Sequence, residues 1–160
     1  MGALIRTVVF TVFVPGTMAG LVPWWILPAG ARWDSGLVGI LALVLAAGGA
    51  AIYFWCAFWG FASYGHGTPL PLDPPKRLVA HGLYRLMRNP MYVGVGTVVA
   101  GAAIGFRSAN LAIYLLVWSA FVYLFVLFYE EPTLRKKFGA NYEDYCRRVP
   151  RWLPRMSSQG

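Results

Sequence analysis

The stretch "LFVLFYEEPTLRKKFG", residues 124–139, ends a long apolar run on two adjacent acids, Glu130 and Glu131, and follows them at once with Arg135, Lys136 and Lys137. The whole chain has six acidic residues, and two of them stand side by side at this boundary. A carboxylate next to hydrocarbon is costly to strip of water unless a cation meets it. The pair therefore asks for a positive partner, either within the protein or bound to it.

Outward from this point the composition is that of a membrane protein. Of 160 residues, 58% are hydrophobic and 12% charged, against about a quarter charged in soluble domains. The charges themselves mark the spans. Uncharged intervals of 25, 38, 18 and 22 residues lie between Arg6 and Arg32, Asp34 and Asp73, Arg88 and Arg107, and Arg107 and Glu130. Roughly 20 apolar residues cross a hydrocarbon core as a helix. The expected fold is all-α, with four transmembrane helices near residues 5–27, 37–62, 90–106 and 110–129 and a C-terminal cytoplasmic amphipathic helical segment. The third helix is short, and "GFRSAN" (105–110) makes helices 3 and 4 a tight antiparallel hairpin.

Basic residues give the orientation, because Lys- and Arg-rich loops stay in the cytoplasm. Twelve of the fourteen fall on the side shared by the N-terminus, the 63–89 loop and the tail from residue 130, leaving Arg32 and Arg107 opposite. Both termini are expected in the cytoplasm, with the chain in an inner or plasma membrane. The N-terminal run resembles a signal peptide but lacks a small-x-small cleavage site, so it reads as a retained first helix. Arg6 stands where a myristoylation signal wants Ser or Thr.

Cys56 lies within the second span and Cys146 in the tail, so they are not expected to pair, and His66 and His81 are too isolated to hold a metal. Gly48, Gly49, Gly101 and Gly105 suit close helix approach. Trp24, Trp25 and Trp33 suit an interfacial belt.

Two polar blocks remain. In "LVAHGLYRLMRNPMYVGVG" (78–96), Asn89 is a favoured N-cap and Pro90 is tolerated at the first helical position. Arg85, Arg88, Tyr84 and Tyr92 crowd this helix start, which could anchor the span at the interface or hold an anion. In "YEEPTLRKKFGANYEDYCRRVPRWLPR" (129–155), one short helix runs from Pro132 to Gly139 and a second from about Asn141 to Val149. Phe138, Tyr142, Tyr145 and Trp152 form an aromatic surface suited to lying on lipid. Contact with anionic lipid does not explain the two glutamates.

The block "HGLYRLMRNPMYVGVG" resembles the pattern G-P-Y-R-x-x-R-H-P-x-Y-x-G, and "EEPTLRKKFGANYEDYCRRVPRWLP" resembles E-E-x-x-L-x-x-x-F-G-x-x-Y-x-x-Y-x-x-x-V-P-R. Together they resemble the isoprenylcysteine carboxyl methyltransferase and phospholipid methyltransferase superfamily over residues 76–154. Asn89 replaces the pattern's histidine and Leu83 its proline. The resemblance implies one domain over 1–160, with a two-helix part at 1–62 and a cofactor-binding part at 63–155. It implies S-adenosyl-L-methionine as cofactor, held by Leu78, Val79, His81, Tyr84, Asn89, Pro90, Met91, Tyr92, Glu130 and Glu131, with Arg85 and Arg88 toward the acceptor. No catalytic base is nominated. The cofactor's ammonium, sulfonium and ribose diol suit carboxylates, and its carboxylate suits Arg or a helix N-terminus. Glu130 is the expected partner of the ammonium, with Glu131 supporting the ribose or the nearby arginines; a salt bridge of the acids to Arg85 and Arg88 is the structural alternative. The implied function is methyl transfer to a lipophilic acceptor entering from the membrane, a carboxyl, amine or thiol, with neither nucleic acid nor metal involved. A non-enzymatic four-helix transporter or scaffold and a nicotinamide-dependent membrane reductase are the rivals. The first would place ionisable residues mid-span, and the second normally has many more helices.

Overall fold

The computed structural model describes residues 2–59 and 78–153. His66, Lys76, Arg77 and Arg155 lie outside the described residues, as does most of the loop expected to carry the first cytoplasmic charges.

The described chain is all-α. Helix α1 (Gly2–Phe13) passes through a widened π turn at Thr17–Leu21 into α2 (Val22–Ile26). Helix α3 covers Leu37–Phe54, α4 Pro90–Gly105 and α5 Ala109–Phe125. A second π turn, Val126–Glu130, leads from α5 into α6 (Glu131–Phe138), and α7 (Ala140–Arg148) follows. Three helical runs are long and apolar enough to cross a membrane: Ile5–Ile26, Leu37–Trp59 and Ala109–Phe138. The expected third span is the shorter apolar helix Pro90–Gly105. At about 1.5 Å per residue it reaches only some 24 Å, less than a core of about 30 Å. Their outward faces are apolar, with Leu43, Val44, Leu116, Val117, Phe121 and Phe128 all exposed. A soluble monomer rarely exposes so much contiguous apolar surface, whereas hydrocarbon solvates it.

The tightest seam joins α3 to α4, and small residues set it. A Cβ on Gly49 would lie 2.6 Å from the Gly94 carbonyl oxygen, and one on Gly94 would lie 2.8 Å from the Gly49 oxygen. Further along, a Cβ on Gly101 would lie 2.7 Å from the Ala42 oxygen. Helices in lipid gain their association from such close packing rather than from a hydrophobic drive. Of the glycines expected at helix contacts, Gly49 and Gly101 serve there, while Gly48 has nothing near it. Gly105 packs instead under the Trp33 indole.

That tryptophan belongs to a latch at the Arg32–Arg107 end. The Asp34 amide donates to the Gly105 carbonyl at 2.8 Å, and Arg107 Nε donates to Asp34 Oδ2 at 2.8 Å. Trp33 meets Phe106 edge-on, with centroids 5.0 Å apart. The Gly36 amide and Arg107 together hold the Asp34 carboxyl below its ordinary range. The expected tight turn between α4 and α5 is residues 106–108, with Arg107 left-handed at φ 48° and the Ser108 hydroxyl accepting from the Leu111 amide.

At the other end, the run Ala109–Phe138 is about 45 Å long at 1.5 Å per residue, so its last turns must project past a core of about 30 Å. Gly139 breaks it with φ 53° and turns α7 back. The aromatic surface expected to face lipid is mostly turned inward: Tyr142, Tyr145 and Val149 are buried against Leu78, Ala80, Leu134 and Phe138. The reason is that residues 78–80 and α6 provide an apolar bed for it, which the sequence pattern does not reveal.

The α3–α4 seam gives a direct test. Gly94→Val would push side-chain atoms into the α3 backbone, and overpacking of this kind costs about 1–3 kcal/mol. A clear drop in the melting temperature of the detergent-solubilised protein is expected, whereas Gly48→Val, on an open face, should leave it unchanged.

Candidate functional site

The polar end of the fold is assembled around the α4 start. Pro90, fully buried, occupies the first helical position and the first backbone bond runs from the Val93 amide to the Asn89 carbonyl. Asn89 does not cap with its side chain as expected. Its Nδ2 donates instead to the Arg151 carbonyl at 3.2 Å. The Arg88 amide donates to the Pro150 carbonyl at 2.9 Å, and the Tyr145 hydroxyl to the Tyr84 carbonyl at 2.7 Å. The tail 145–151 is thereby stitched across the α4 start, and its backbone carbonyls outcompete the cap.

The two glutamates of the opening stretch have different surroundings. Glu131 is 3% exposed and sits among arginines. Arg151 meets it in a two-pronged pair, Nε to Oε1 at 2.7 Å and Nη2 to Oε2 at 3.0 Å. Arg88 Nη1 adds a contact to Oε1 at 2.9 Å, and Arg135 stands at 3.9 Å. These hydrogen bonds to Glu131 raise the Arg151 pKa. The Arg88 Nη1 also donates to Cys146 Sγ at 2.8 Å. Glu130 has no cationic partner among the described residues; its Oε2 accepts from the Tyr92 hydroxyl at 2.8 Å.

Glu130 faces a cavity of about 280 Å³. Tyr84, Arg88, Asn89, Met91 and Tyr92 line the cavity with it, so six of the residues singled out in the sequence share one space. The Arg88 Nε is buried without a hydrogen-bond partner. Burial holds the Tyr84 phenol well above its ordinary pKa, so it stays neutral near pH 7 and is no base. The remaining expected residues stand outside the lining. Val79 is buried with Cys56 and Tyr84, Leu78 packs on the α7 cluster, Pro90 is buried in the helix start, and His81 and Arg85 are exposed.

Sequence reasoning missed the apolar walls. Phe10, Val14, Pro15 and Met18 come from α1 and its break, and Trp118, Phe121 and Phe125 from α5. The Thr11 and Tyr53 hydroxyls, 3.0 Å apart, hold α1 on α3, and the Tyr114 hydroxyl donates to the Met18 carbonyl at 2.7 Å, holding α5 on α1. Pro15 and Pro23 bracketing Gly16 and Gly20 were the available signal for a broken first helix. Arg151 was also passed over, although it stands in the quoted V-P-R.

Against this geometry the comparisons with known proteins can be set. The phospholipid methyltransferase family model matches residues 38–141. The chain belongs to that family. Among its relatives, a probable protein-S-isoprenylcysteine O-methyltransferase of Oryza sativa subsp. indica is 29% identical over 76% of this chain and 62% of its own length. Methanethiol S-methyltransferase 2 of Bradyrhizobium diazoefficiens is 36% identical over 46% of this chain and 27% of its own. A nickel-cobalt-cadmium resistance protein of Alcaligenes xylosoxydans xylosoxydans is 31% identical over 75% of this chain and 50% of its own. The chain thus spans less than two thirds of these curated relatives. No solved structure matches it significantly. The family match runs from α3 into α7 and includes Tyr84, Arg88, Asn89, Tyr92 and Glu130 at the cavity's polar end.

The unequal pairing of the acids predicts unequal variants. Glu131→Gln leaves two arginines uncompensated, and breaking a buried pair costs about 3–5 kcal/mol. Thermal unfolding without ligand should show a large loss for Glu131→Gln and none for Glu130→Gln, whose amide oxygen still accepts from Tyr92.

Proposed function

We propose that the chain is an S-adenosyl-L-methionine-dependent methyltransferase of the inner or plasma membrane, with four spans, both termini and the site cytoplasmic, acting on a lipophilic acceptor drawn from the bilayer. The observation that carries the reading is the half-buried Glu130 carboxylate, which lines the cavity and is met by the Tyr92 hydroxyl but by no cationic partner among the described residues. Membership of a methyltransferase family and the relatives' names support the same chemistry.

The residues fit the cofactor's groups. Glu130 suits its ammonium or ribose diol, the Arg88 guanidinium suits its carboxylate, and Tyr84, Met91 and Tyr92 give a semi-apolar wall for its base. For Leu78, Val79, His81, Pro90 and Glu131 the assignment rests on the family resemblance alone, as it does for Arg85 toward the acceptor. When bound, the cofactor supplies a methyl group on cationic sulfur. The chain's own work is then to orient the partners and exclude water, which can supply much of the rate of an in-line displacement. Tyr92 holds the Glu130 carboxylate by its hydroxyl, and the α1 and α5 aromatics keep the cavity dry. No residue is assigned as a base, since a neutral or anionic acceptor needs little proton transfer.

Calorimetry on the detergent-solubilised protein tests the reading. Losing a charge-assisted hydrogen bond costs about 1.5–3 kcal/mol, or roughly tenfold to a hundredfold in affinity. Glu130→Gln should weaken S-adenosylmethionine binding on that scale; unchanged affinity would refute the assignment. Radiolabel from the cofactor should pass into a lipophilic product when a total lipid extract is supplied. A periplasmic reporter fused after Gly160 should be silent, and an active one would overturn the topology.

A further inference from the structure

Arg151 does not line the Glu130 cavity, yet it shares a carboxylate with a residue that does. Its guanidinium takes both oxygens of Glu131, Nε to Oε1 at 2.7 Å and Nη2 to Oε2 at 3.0 Å. Arg88, in the cavity lining, reaches the same carboxylate with one nitrogen only, Nη1 at 2.9 Å from Oε1. The other contact of that nitrogen is Cys146 Sγ at 2.8 Å. The tail that carries Arg151 is pinned on both sides of it. The Arg151 carbonyl accepts from Asn89 Nδ2 and the Pro150 carbonyl from the Arg88 amide. Trp152, the next residue, stacks on Tyr123 with centroids 6.3 Å apart and lines a second cavity of about 490 Å³ between α4 and α5.

Two arginines thus meet one buried carboxylate, and the cluster keeps a positive charge in excess. Arg135, at 3.9 Å with a side chain 53% exposed, changes this little, because water and salt screen a charge so placed. If Arg88 faced Glu131 alone, the two would be free to close into a two-pronged pair, the geometry that guanidinium and carboxylate favour. Such a pair is neutral, and an anionic guest would find no net charge to meet. With Arg151 holding both oxygens, Arg88 is confined to a single contact and its charge stays available at the cavity. We propose that Arg151 is a positioning residue of the site: through Glu131 it keeps the Arg88 guanidinium available to the guest's carboxylate, and so gives the cavity its preference for a guest that bears one. The identity of that guest rests on the cofactor reading given above. Arg151 acts only through Glu131 and Arg88.

Calorimetry on the detergent-solubilised chain tests this with two ligands, S-adenosyl-L-methionine and its decarboxylated analogue, which keeps the sulfonium, ribose, base and amino group and lacks only the carboxylate. The unaltered protein should bind the parent about tenfold more tightly than the analogue, the worth of one charge-assisted hydrogen bond. Arg151→Gln should erase that preference by weakening the parent and leaving the analogue's affinity unchanged. Arg151→Lys, which returns the charge, should restore most of it. A loss shared equally by the two ligands would make Arg151 a structural strut and overturn the proposal, as would a full preference that survives in folded Arg151→Gln. If Arg151→Gln does not fold, Arg151→Lys decides: a retained preference sustains the proposal, and equal affinity for the two ligands overturns it. The unaltered protein separates this proposal from the cofactor reading. Binding both ligands equally would leave that reading standing and remove the role of Arg151, whereas binding neither would remove both.

Discussion

The buried carboxylate of Glu131 is the contact on which the polar end of this protein depends. It is 3% exposed and receives Arg88 from the start of α4 and Arg151 from the tail, residues far apart in the chain. A charge so deeply placed is tolerable only when its lone pairs are filled by well-aligned donors, and the two-pronged Arg151 pair meets that condition. With this contact made, the tail crosses the α4 start, Asn89 and the Arg88 amide find carbonyl partners there, and Trp152 is delivered to the second cavity. Without it, two arginines and a glutamate would each be left in a poorly solvated place.

Neighbouring residues on a helix point about 100° apart, and this geometry explains why two identical side chains differ so much in surroundings. Glu131 turns into the arginine cluster, whereas Glu130 turns toward Tyr92 and the cavity. The π turn at Val126–Glu130 ends on Glu130 itself, and such widened turns often occur at functional positions. Part of the local positive charge is therefore consumed in holding the tail, and Glu130 keeps only the Tyr92 hydroxyl as its hydrogen-bond partner at the cavity.

Two cavities share the Tyr92–Trp118–Val122 wall. One is lined at its polar end by Glu130, Arg88, Asn89 and Tyr92. The other is lined mainly by apolar side chains, with Thr97, Ser119 and Tyr123 among them. Both are framed by α4, whose glycine-mediated fit to α3 holds it rigidly enough to position the side chains on its remaining faces.

The sequence by itself determined the helical class, because apolar runs bounded by charges can meet the backbone's hydrogen-bonding needs in lipid only as helices or closed barrels. It also determined the α4 start at Pro90, the hairpin around Arg107, the two tail helices and the grouping of Tyr84, Arg88, Asn89, Met91, Tyr92 and Glu130, since these are local or carried by spaced blocks. Tertiary structure alone decided which glutamate is paired and which faces the cavity, because that depends on helix rotation and on a tail arriving from about twenty residues away, where no periodicity reports it. It likewise decided that the α7 aromatics turn inward, that the Asn89 amide bonds the tail rather than capping, and that α1 supplies a wall of the site. In each case the deciding partner lies on another element, and the chemistry of a residue type does not say which neighbour it will meet.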